Sequence, residues 1–366
     1  MNENTVTASI PVDPEQPEGG GSRVLSRRLL SAVVALLVLG IGAAVAFARG
    51  GGSEGRLGDG VVVIDTNLGY QGGAAAGTGM VLSSSGEVLT NNHVIKGATT
   101  IRIAVPGTGR SYPAKVVGYD VAEDVALLQA QRASNLKTVS IGDTSNLAPG
   151  QAVTALGNAG GTGSLITATG TITGLGKTIT ASDSGSDGEQ LSGLIETDAG
   201  VQPGDSGGPL LNEAGQVIGM DTAASTGSPL ASETANDAYA IPIDKAVGIA
   251  KQIESGEGSS TVHVGGTAFL GIEVGSGGSS DGYYGYGQSS SEAAIASVVP
   301  NAPADSAGLE AGDVITAING QAISSASDVS SIMLGQQPGE TVTVDYTDAY
   351  GTNQTAAVTL GEGPAL

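Results

Sequence analysis

The chain has 366 residues, no cysteine, no tryptophan and only two histidines, and its formal net charge at pH 7 is −22. Without cysteine there is no thiol nucleophile, disulfide or thiolate zinc site, and two histidines cannot supply a three-histidine catalytic metal centre. The negative charge repels phosphate backbones and so disfavours nucleic-acid binding. We therefore predict a protein with no metal ion and no cofactor.

An uncharged apolar segment at 29–48 follows a polar, proline-containing stretch at 1–28. At about 1.5 Å per residue a helix over this segment is about 30 Å long, the thickness of a bilayer core. We predict a transmembrane helix preceded by a disordered cytoplasmic tail, because the arginines before the segment favour an inside N-terminus. A cleaved signal peptide is the alternative, since Ala46-Phe47-Ala48 resembles a small-x-small cleavage site. Either way, the residues after 50 are exported.

The exported part is dominated by short runs of Val, Ile and Thr separated by Gly, Asn, Asp and Pro, a pattern typical of all-β domains. Ile243, Val247, Ala250 and Ile253 share one helical face, which predicts a helix there. A Ser/Gly-rich stretch follows and indicates a linker. The predicted boundaries are a linker at 49–60, a first domain at 61–254, a linker at 255–266, and a second domain at 267–362 with a polar surface insertion at 275–292.

A serine lies between an aspartate and two glycines in the run GDSGGP at 204–209. These residue types suit a tight surface turn, and they equally suit a turn that presents the serine oxygen beside converging backbone N–H groups. A serine hydroxyl is a weak nucleophile that needs an adjacent base, and the base needs an orienting group. Ser206 is therefore a candidate nucleophile if the chain also supplies that base and that acid.

Two histidines and three acidic residues compete for these roles. His93 follows a turn-like Asn-Asn pair and precedes an apolar pair, whereas His263 has the setting of an ordinary strand or linker residue. Asp124 comes directly before an apolar strand, where its carboxylate can be buried against an imidazole. Asp120 and Glu123 lie in the preceding polar turn and look solvated. The chain order histidine, aspartate, serine is one of the known orders of the catalytic triad.

These motifs resemble those of the HtrA (Deg) family of serine proteases. The resemblance rests on segments that occur in the family's order, namely GEVLTNNHVI at 86–95, DVALL at 124–128, PGDSGGPL at 203–210 and YAIPI at 239–243. It implies a mostly-β fold with two six-stranded chymotrypsin-like barrels, at about 61–142 and 149–242. It also implies that Ser206 attacks the scissile carbonyl, His93 transfers the proton and Asp124 orients the imidazole. The implied oxyanion hole consists of the N–H groups of Gly204, Asp205 and Ser206.

The last segment is similar to the PDZ domain that follows the protease in this family. The similarity is carried by FLGI at 269–272, VVPNAPA at 298–304 and AGLEAGDVITAING at 307–320. It implies capture of an extended peptide, usually a free C-terminus, by strand addition. The residues implied to bind the peptide are Phe269, Leu270, Gly271, Ile272, Val329, Ile332 and Met333. For Val329, Ile332 and Met333, the alternative role is packing in the core of the domain.

The resemblance implies a membrane-tethered serine endopeptidase on the extracytoplasmic side, held in the cell membrane by one helix. Its implied partners are unfolded, misfolded or regulatory envelope proteins, with PDZ capture of C-terminal peptides modulating activity. The alternatives are a non-catalytic chaperone or peptide-binding module and an esterase with the same triad. The family often forms homo-oligomeric trimers through aromatic residues near the start of the protease domain, where the stretch 57–76 offers only Tyr70.

Overall fold

The computed structural model describes residues 57–70, 72–181, 189–224, 237–275 and 293–366. The predicted cytoplasmic tail at 1–28 and the predicted transmembrane helix at 29–48 lie outside these residues, as does nearly all of the predicted insertion at 275–292. Among the described residues, no helix combines the length and the apolar character needed to cross a membrane.

The first half of the predicted protease domain is an antiparallel sheet. Its strands in chain order are β1 (Val61–Leu68), β2 (Gly73–Val81), β3 (Glu87–Thr90), β4 (Thr100–Val105), β5 (Arg110–Asp120) and β6 (Val125–Ala130). A short helix, α1 (Asn92–Ile95), follows β3. β5 pairs with β4 on one side and with β6 on the other, so this sheet turns back on itself.

The second half is a closed six-stranded barrel with the order β10-β11-β12-β9-β8-β7. Its strands are β7 (Ala152–Gly157), β8 (Ile166–Ala181), β9 (Glu189–Thr197), β10 (Pro209–Leu211), β11 (Val217–Ala224) and β12 (Ala238–Pro242), with a 3₁₀ turn at Ala159–Gly161. The prediction of a six-stranded second barrel is therefore confirmed.

The segment after the second barrel returns to the first sheet. Helix α2 (Ile243–Glu254) confirms the predicted helix, and it buries Ile243, Ala250 and Ile253. β13 (Val262–Val264) then pairs with β5 as a seventh strand of the first sheet. Part of the predicted linker at 255–266 is thus a strand, because Val262 and His263 are buried against the barrel.

The predicted second domain consists of two small sheets and two helices. Its elements are β14 (Thr267–Phe269), β15 (Ile272–Gly275), β16 (Ala293–Val298), α3 (Pro303–Ser306), β17 (Val314–Ile318), β18 (Gln321–Ala322), α4 (Ala326–Leu334), β19 (Thr341–Thr347), β20 (Asn353–Thr359) and β21 (Gly361–Gly363). The larger sheet has the order β15-β16-β17-β19-β20, with β18 paired to β17, and β14 pairs with β21. Within the described residues β15 has a strand partner on one side only, which leaves an edge to which a peptide strand can add.

Small aliphatic side chains fill the interior, as expected for a chain without tryptophan. One cluster of buried residues contains side chains of both halves of the protease domain together with α2, for example Met80, Leu156 and Ile253. A separate cluster fills the second domain, where Val342, Val344 and Val358 are fully buried. The two halves of the protease domain therefore share one apolar interface, and the candidate site lies between them.

Candidate active site

The imidazole of His93 and the carboxylate of Asp124 are in direct contact. His93 lies in α1, and its Nδ1 is 2.8 Å from Asp124 Oδ2, while its backbone N–H donates to Asp124 Oδ1 at 2.9 Å. Asp124 lies in the β5–β6 turn with a φ of +52°, a left-handed conformation that aspartate tolerates better than most residues. Asn91 stabilises this turn by donating through Nδ2 to the Asp124 carbonyl at 2.9 Å.

Thr222 of β11 connects this pair to the serine. Its hydroxyl donates to Asp124 Oδ2 at 2.5 Å, and its carbonyl accepts a bond from Ser206 Oγ at 3.4 Å. The buried Asp124 carboxylate thus accepts bonds from the His93 backbone, the His93 ring and Thr222, so its charge is well satisfied. The predicted His93, Asp124 and Ser206 come from separate elements, and contacts through Thr222 link them.

The GDSGGP turn at 204–209, which we call the nucleophile turn, contains N–H groups that are bonded within the fold and N–H groups that are free among the described residues. The N–H of Asp205 donates to the Gln202 carbonyl at 2.9 Å and closes the turn. The N–H groups of Gly204 and Ser206 donate to no acceptor within the part of the chain that the structure describes. These two donors are the ones that remain for an oxyanion, since an oxyanion hole needs donors that the fold does not already use.

Two positions of the nucleophile turn require glycine, because the backbone is left-handed there and lies too close to its neighbours for a side chain. Gly204 has a φ of +101°, and a Cβ there would lie 2.3 Å from the Asn158 carbonyl oxygen. Gly207 has a φ of +82°, and a Cβ there would lie 2.2 Å from both the Thr78 carbonyl oxygen and Thr90 Oγ1. The glycines of GDSGGP therefore serve conformation and close approach rather than side-chain chemistry.

Thr78 of β2 fixes the nucleophile turn to the first sheet, a role that the sequence did not predict. Its Oγ1 donates to the Gly204 carbonyl at 2.7 Å and accepts from the Asn158 N–H at 2.9 Å. Its backbone N–H donates to the Ser206 carbonyl at 2.9 Å, and its own carbonyl accepts from Thr90 Oγ1 at 2.7 Å. No short-range pattern marks such a residue, because its partners lie far away in the chain.

Two buried carboxylates, Asp205 and Asp221, lie beside the nucleophile turn. Asp221 of β11 is fully buried, and its carboxylate oxygens have no hydrogen-bond partner in the described part of the chain. Burial raises the pKa of Asp221 well above its ordinary value, and repulsion from Asp205 adds to the effect. Burial also raises the pKa of Asp205, against the lowering effect of the Gln202 N–H.

The other acidic and imidazole candidates have structural surroundings. The expectation that Asp120 is solvated is wrong, because Asp120 is buried at the end of β5 and accepts bonds from the Glu123 N–H and Thr261 Oγ1. Burial raises the pKa of Asp120. His263 is a buried strand residue whose Nδ1 is 2.8 Å from the Leu334 carbonyl and whose Nε2 is 3.0 Å from the Gly266 carbonyl. Within the described residues, no group of three or more His, Asp or Glu side chains could hold a metal ion.

The predicted carboxylate-binding loop joins β14 to β15. Gly271 has a φ of +81°, and a Cβ there would lie 2.2 Å from the Ala302 side chain. The N–H groups of Leu270 and Gly271 donate to no acceptor in the described chain, whereas the carbonyls of these residues accept from Ala304 and Val299. The loop is therefore held by its carbonyls and leaves N–H groups for a ligand.

The side chains predicted for the peptide pocket have different surroundings. Phe269 stacks on Tyr70 of the protease domain with ring centroids 5.2 Å apart, and Leu270 is buried. Val329 and Met333 of α4 are buried in the core of the second domain, as for ordinary helix core. Ile332 of α4 and Ile272 of β15 are partly buried against that core.

Comparison with known families identifies two domains in this chain. Residues 77–220 match the family of trypsin-like peptidase domains, and residues 295–347 match the PDZ domain family. The fold and these matches therefore define a trypsin-like peptidase domain followed by a PDZ domain.

Curated proteins that are similar to this chain in sequence narrow the class further. A probable periplasmic serine protease do/HhoA-like of Haemophilus influenzae is 38% identical over 273 residues, covering 74% of this chain and 55% of that protein. The serine protease PepD of Mycobacterium tuberculosis is 32% identical over 320 residues, with coverages of 82% and 64%. The periplasmic serine endoprotease DegP of Escherichia coli is 35% identical over 259 residues, with coverages of 69% and 50%. The chain thus spans between half and two thirds of the length of these relatives, and it belongs to the HtrA/Deg family of serine proteases.

Proposed function

We propose that this chain is an extracytoplasmic serine endopeptidase whose nucleophile is Ser206. The observation that carries the proposal is the pairing of the His93 ring with the buried Asp124 carboxylate. Thr222 holds this pair near Ser206, because its hydroxyl bonds Asp124 and its backbone carbonyl accepts from Ser206 Oγ. A serine becomes a nucleophile when an imidazole removes its proton and a buried carboxylate orients that imidazole. The exposed fraction of the His93 side chain is 32%, which leaves the ring accessible to a substrate.

In this proposal the three residues act as a serine-protease triad. Ser206 Oγ attacks the scissile carbonyl while His93 accepts the hydroxyl proton, which it later donates to the leaving amine. Asp124 holds the proton on Nδ1 of the ring and stabilises the cationic imidazole. The N–H groups of Gly204 and Ser206 stabilise the tetrahedral oxyanion, where the loss of one such donor typically costs about 3–4 kcal/mol.

The PDZ domain supplies the substrate class in this proposal. Free N–H groups at Leu270 and Gly271 and the open edge of β15 suit an extended peptide with a terminal carboxylate. Such segments are accessible in unfolded, misfolded or cleaved proteins. We place the enzyme outside the cytoplasm, tethered by the apolar segment 29–48, where it removes damaged envelope proteins or cuts a regulatory one.

The experiment uses the full chain in detergent micelles. We expect a fluorophosphonate probe to label the wild type and unfolded β-casein to be cleaved. In Ser206→Ala both signals are lost, because removal of the nucleophile of a triad costs about 10⁶-fold in rate. Circular dichroism of both proteins verifies the fold.

A folded wild type that is neither labelled nor proteolytic contradicts the proposal. If wild type and Ser206→Ala suppress the aggregation of an unfolded protein equally and neither cleaves it, the chain is a binding protein. If the wild type is labelled and hydrolyses acyl esters but no polypeptide, it is an esterase.

A further inference from the structure

Residues 364–366, Pro-Ala-Leu, form a segment that contacts the helix carrying His93. This docking segment follows β21 and lies beyond the predicted PDZ boundary. The Gly97 N–H donates to the Ala365 carbonyl at 2.9 Å, and Ala365 forms a parallel bridge with Lys96. On the other side of His93, Asn92 Nδ2 donates to the Leu366 backbone oxygen at 2.9 Å. The docking segment therefore bonds the chain on both sides of His93, at Asn92 within α1 and at Gly97 just after α1.

Apolar packing holds the docking segment in place. The exposed fraction of Ala365 is 4%, and its side chain belongs to the buried cluster of the first sheet. Leu366 packs against that cluster and also against the core of the PDZ domain. Its N–H lies 3.4 Å from the hydroxyl of Tyr119, a fully buried residue of β5. The segment thus joins the PDZ domain to the sheet that supports the catalytic histidine.

We propose that the docking segment is a positioning element for the catalytic base, an inference that rests on the proposed protease function. A helix as short as α1 is not stable by itself, so its placement depends on the groups that bond it. Val94 and Ile95 bury its apolar face, while Asn92 and Gly97 fix it through the docking segment. Release of the segment allows His93 to move relative to Ser206, and a displacement of about 1 Å in a catalytic group costs up to about 10²-fold in rate.

The test compares docking with reactivity in the same full-length molecules. Leu366→Asp and Ala365→Arg place a charge in an apolar pocket and release the segment, whereas Leu366→Met retains the packing. Hydrogen exchange of the Gly97 amide reports docking directly, because that amide bonds Ala365. The maximal rate of fluorophosphonate labelling reports the activation of Ser206, and the probe concentration at half-maximal rate reports access to the site. Leu309→Ala is the matched control, since Leu309 is buried in the PDZ core.

We expect Gly97 to lose protection in both charge variants and the maximal labelling rate to fall by about tenfold or more, with the half-maximal probe concentration unchanged. Leu366→Met should keep both the protection of the Gly97 amide and the wild-type labelling rate. Leu309→Ala, tested below its unfolding temperature, should leave the labelling rate unchanged.

The outcomes separate this inference from the proposed function. A wild type that the probe does not label contradicts the protease itself. If the wild type is labelled, loss of Gly97 protection at an unchanged rate overturns the positioning role, as does a reduced rate with Gly97 still protected. No change in either signal contradicts the claim that Leu366 and Ala365 hold the segment.

Discussion

The Asp124 carboxylate is shared between the imidazole of His93 and the hydroxyl of Thr222. We expect Thr222→Val to leave the fold intact and to lower kcat by about tenfold or more, because a misoriented base loses catalytic geometry. The Michaelis constant should change little, since Thr222 acts on the carboxylate rather than on the substrate. Steady-state kinetics on unfolded β-casein measures both parameters.

Thr222→Ser is the control for that substitution, since it keeps the hydroxyl and loses only a methyl group. It should retain most of the wild-type kcat. Equal activity of the Val and wild-type enzymes would show that the bond to Asp124 contributes nothing to the orientation of the base.

Asp221 makes the stability of the protein depend on pH. Its pKa is raised in the folded state, so the folded chain keeps a proton that the unfolded chain, with an aspartate pKa of about 3.9, has released. Unfolding therefore releases protons, and this contribution to the free energy of unfolding falls as pH rises above about 4 towards the raised pKa. Urea denaturation of Asp221→Asn and wild type from pH 4 to pH 8 should show the variant gaining stability relative to wild type.

Asp305→Asn serves as the comparison for this titration, because Asp305 is exposed in the PDZ domain. This exposed substitution should change the free energy of unfolding by no more than about 0.5 kcal/mol. A stability difference between Asp221→Asn and wild type that does not change with pH would contradict a retained proton on Asp221.

Candidate-site residues with rare chemical properties could be predicted from the sequence. Residues that matter because of where they lie in the fold could not. With two histidines in the chain, His93 was one of two choices, and the Asp-Ser-Gly-Gly run singled out Ser206. Thr222, Thr78 and Asp221 carry ordinary side chains in ordinary strands. Their importance depends on which strands meet between the two halves of the domain, and spacing along the chain does not contain that information.

The turn that carries Ser206 depends on Gly207. A side chain there meets the Thr78 carbonyl and Thr90, in addition to requiring a left-handed backbone. We expect Gly207→Ala to abolish labelling of Ser206 and to destabilise the fold. Gly215 also has a positive φ, of +73°, but a Cβ added there would have no neighbour within 4 Å. Gly215→Ala should therefore cost only about 1–2 kcal/mol and leave activity unchanged. Urea denaturation and probe labelling distinguish the two, and equal effects would refute the steric argument.

Elements with strong local signals were easier to predict than elements defined by pairing. Helix α2 was predicted because it has four apolar residues on one face. β13 was placed in a linker because a three-residue strand has too short a pattern to detect. It becomes a strand because β5 offers an edge.

Several contacts hold the PDZ and protease parts together, and the buried His263 makes one of them. A neutral imidazole donates one bond and a cationic imidazole both bonds to the carbonyls of Leu334 and Gly266. His263→Phe keeps a ring against Tyr119 but removes every donor to these carbonyls, at about 1–3 kcal/mol for each donated bond that is lost. We expect calorimetry to show a lower unfolding temperature and separate unfolding of the PDZ domain.

Gln337→Met is the matched substitution on the surface of the same junction. Gln337 is exposed and donates to the Val264 carbonyl at 3.5 Å, so its loss should cost less than about 0.5 kcal/mol. If His263→Phe is as mild as Gln337→Met, the buried histidine does not hold the junction.

The division of the triad between the two halves of the protease domain has a consequence for the life of the molecule. His93 and Asp124 belong to the sheet made early in synthesis, while Ser206 and Thr222 belong to the barrel made later. Under the proposed function, a newly made chain cannot hydrolyse a peptide bond until the later barrel closes on the earlier sheet. We therefore expect proteolysis only from molecules that have finished folding, so that two unfolded copies cannot cleave each other.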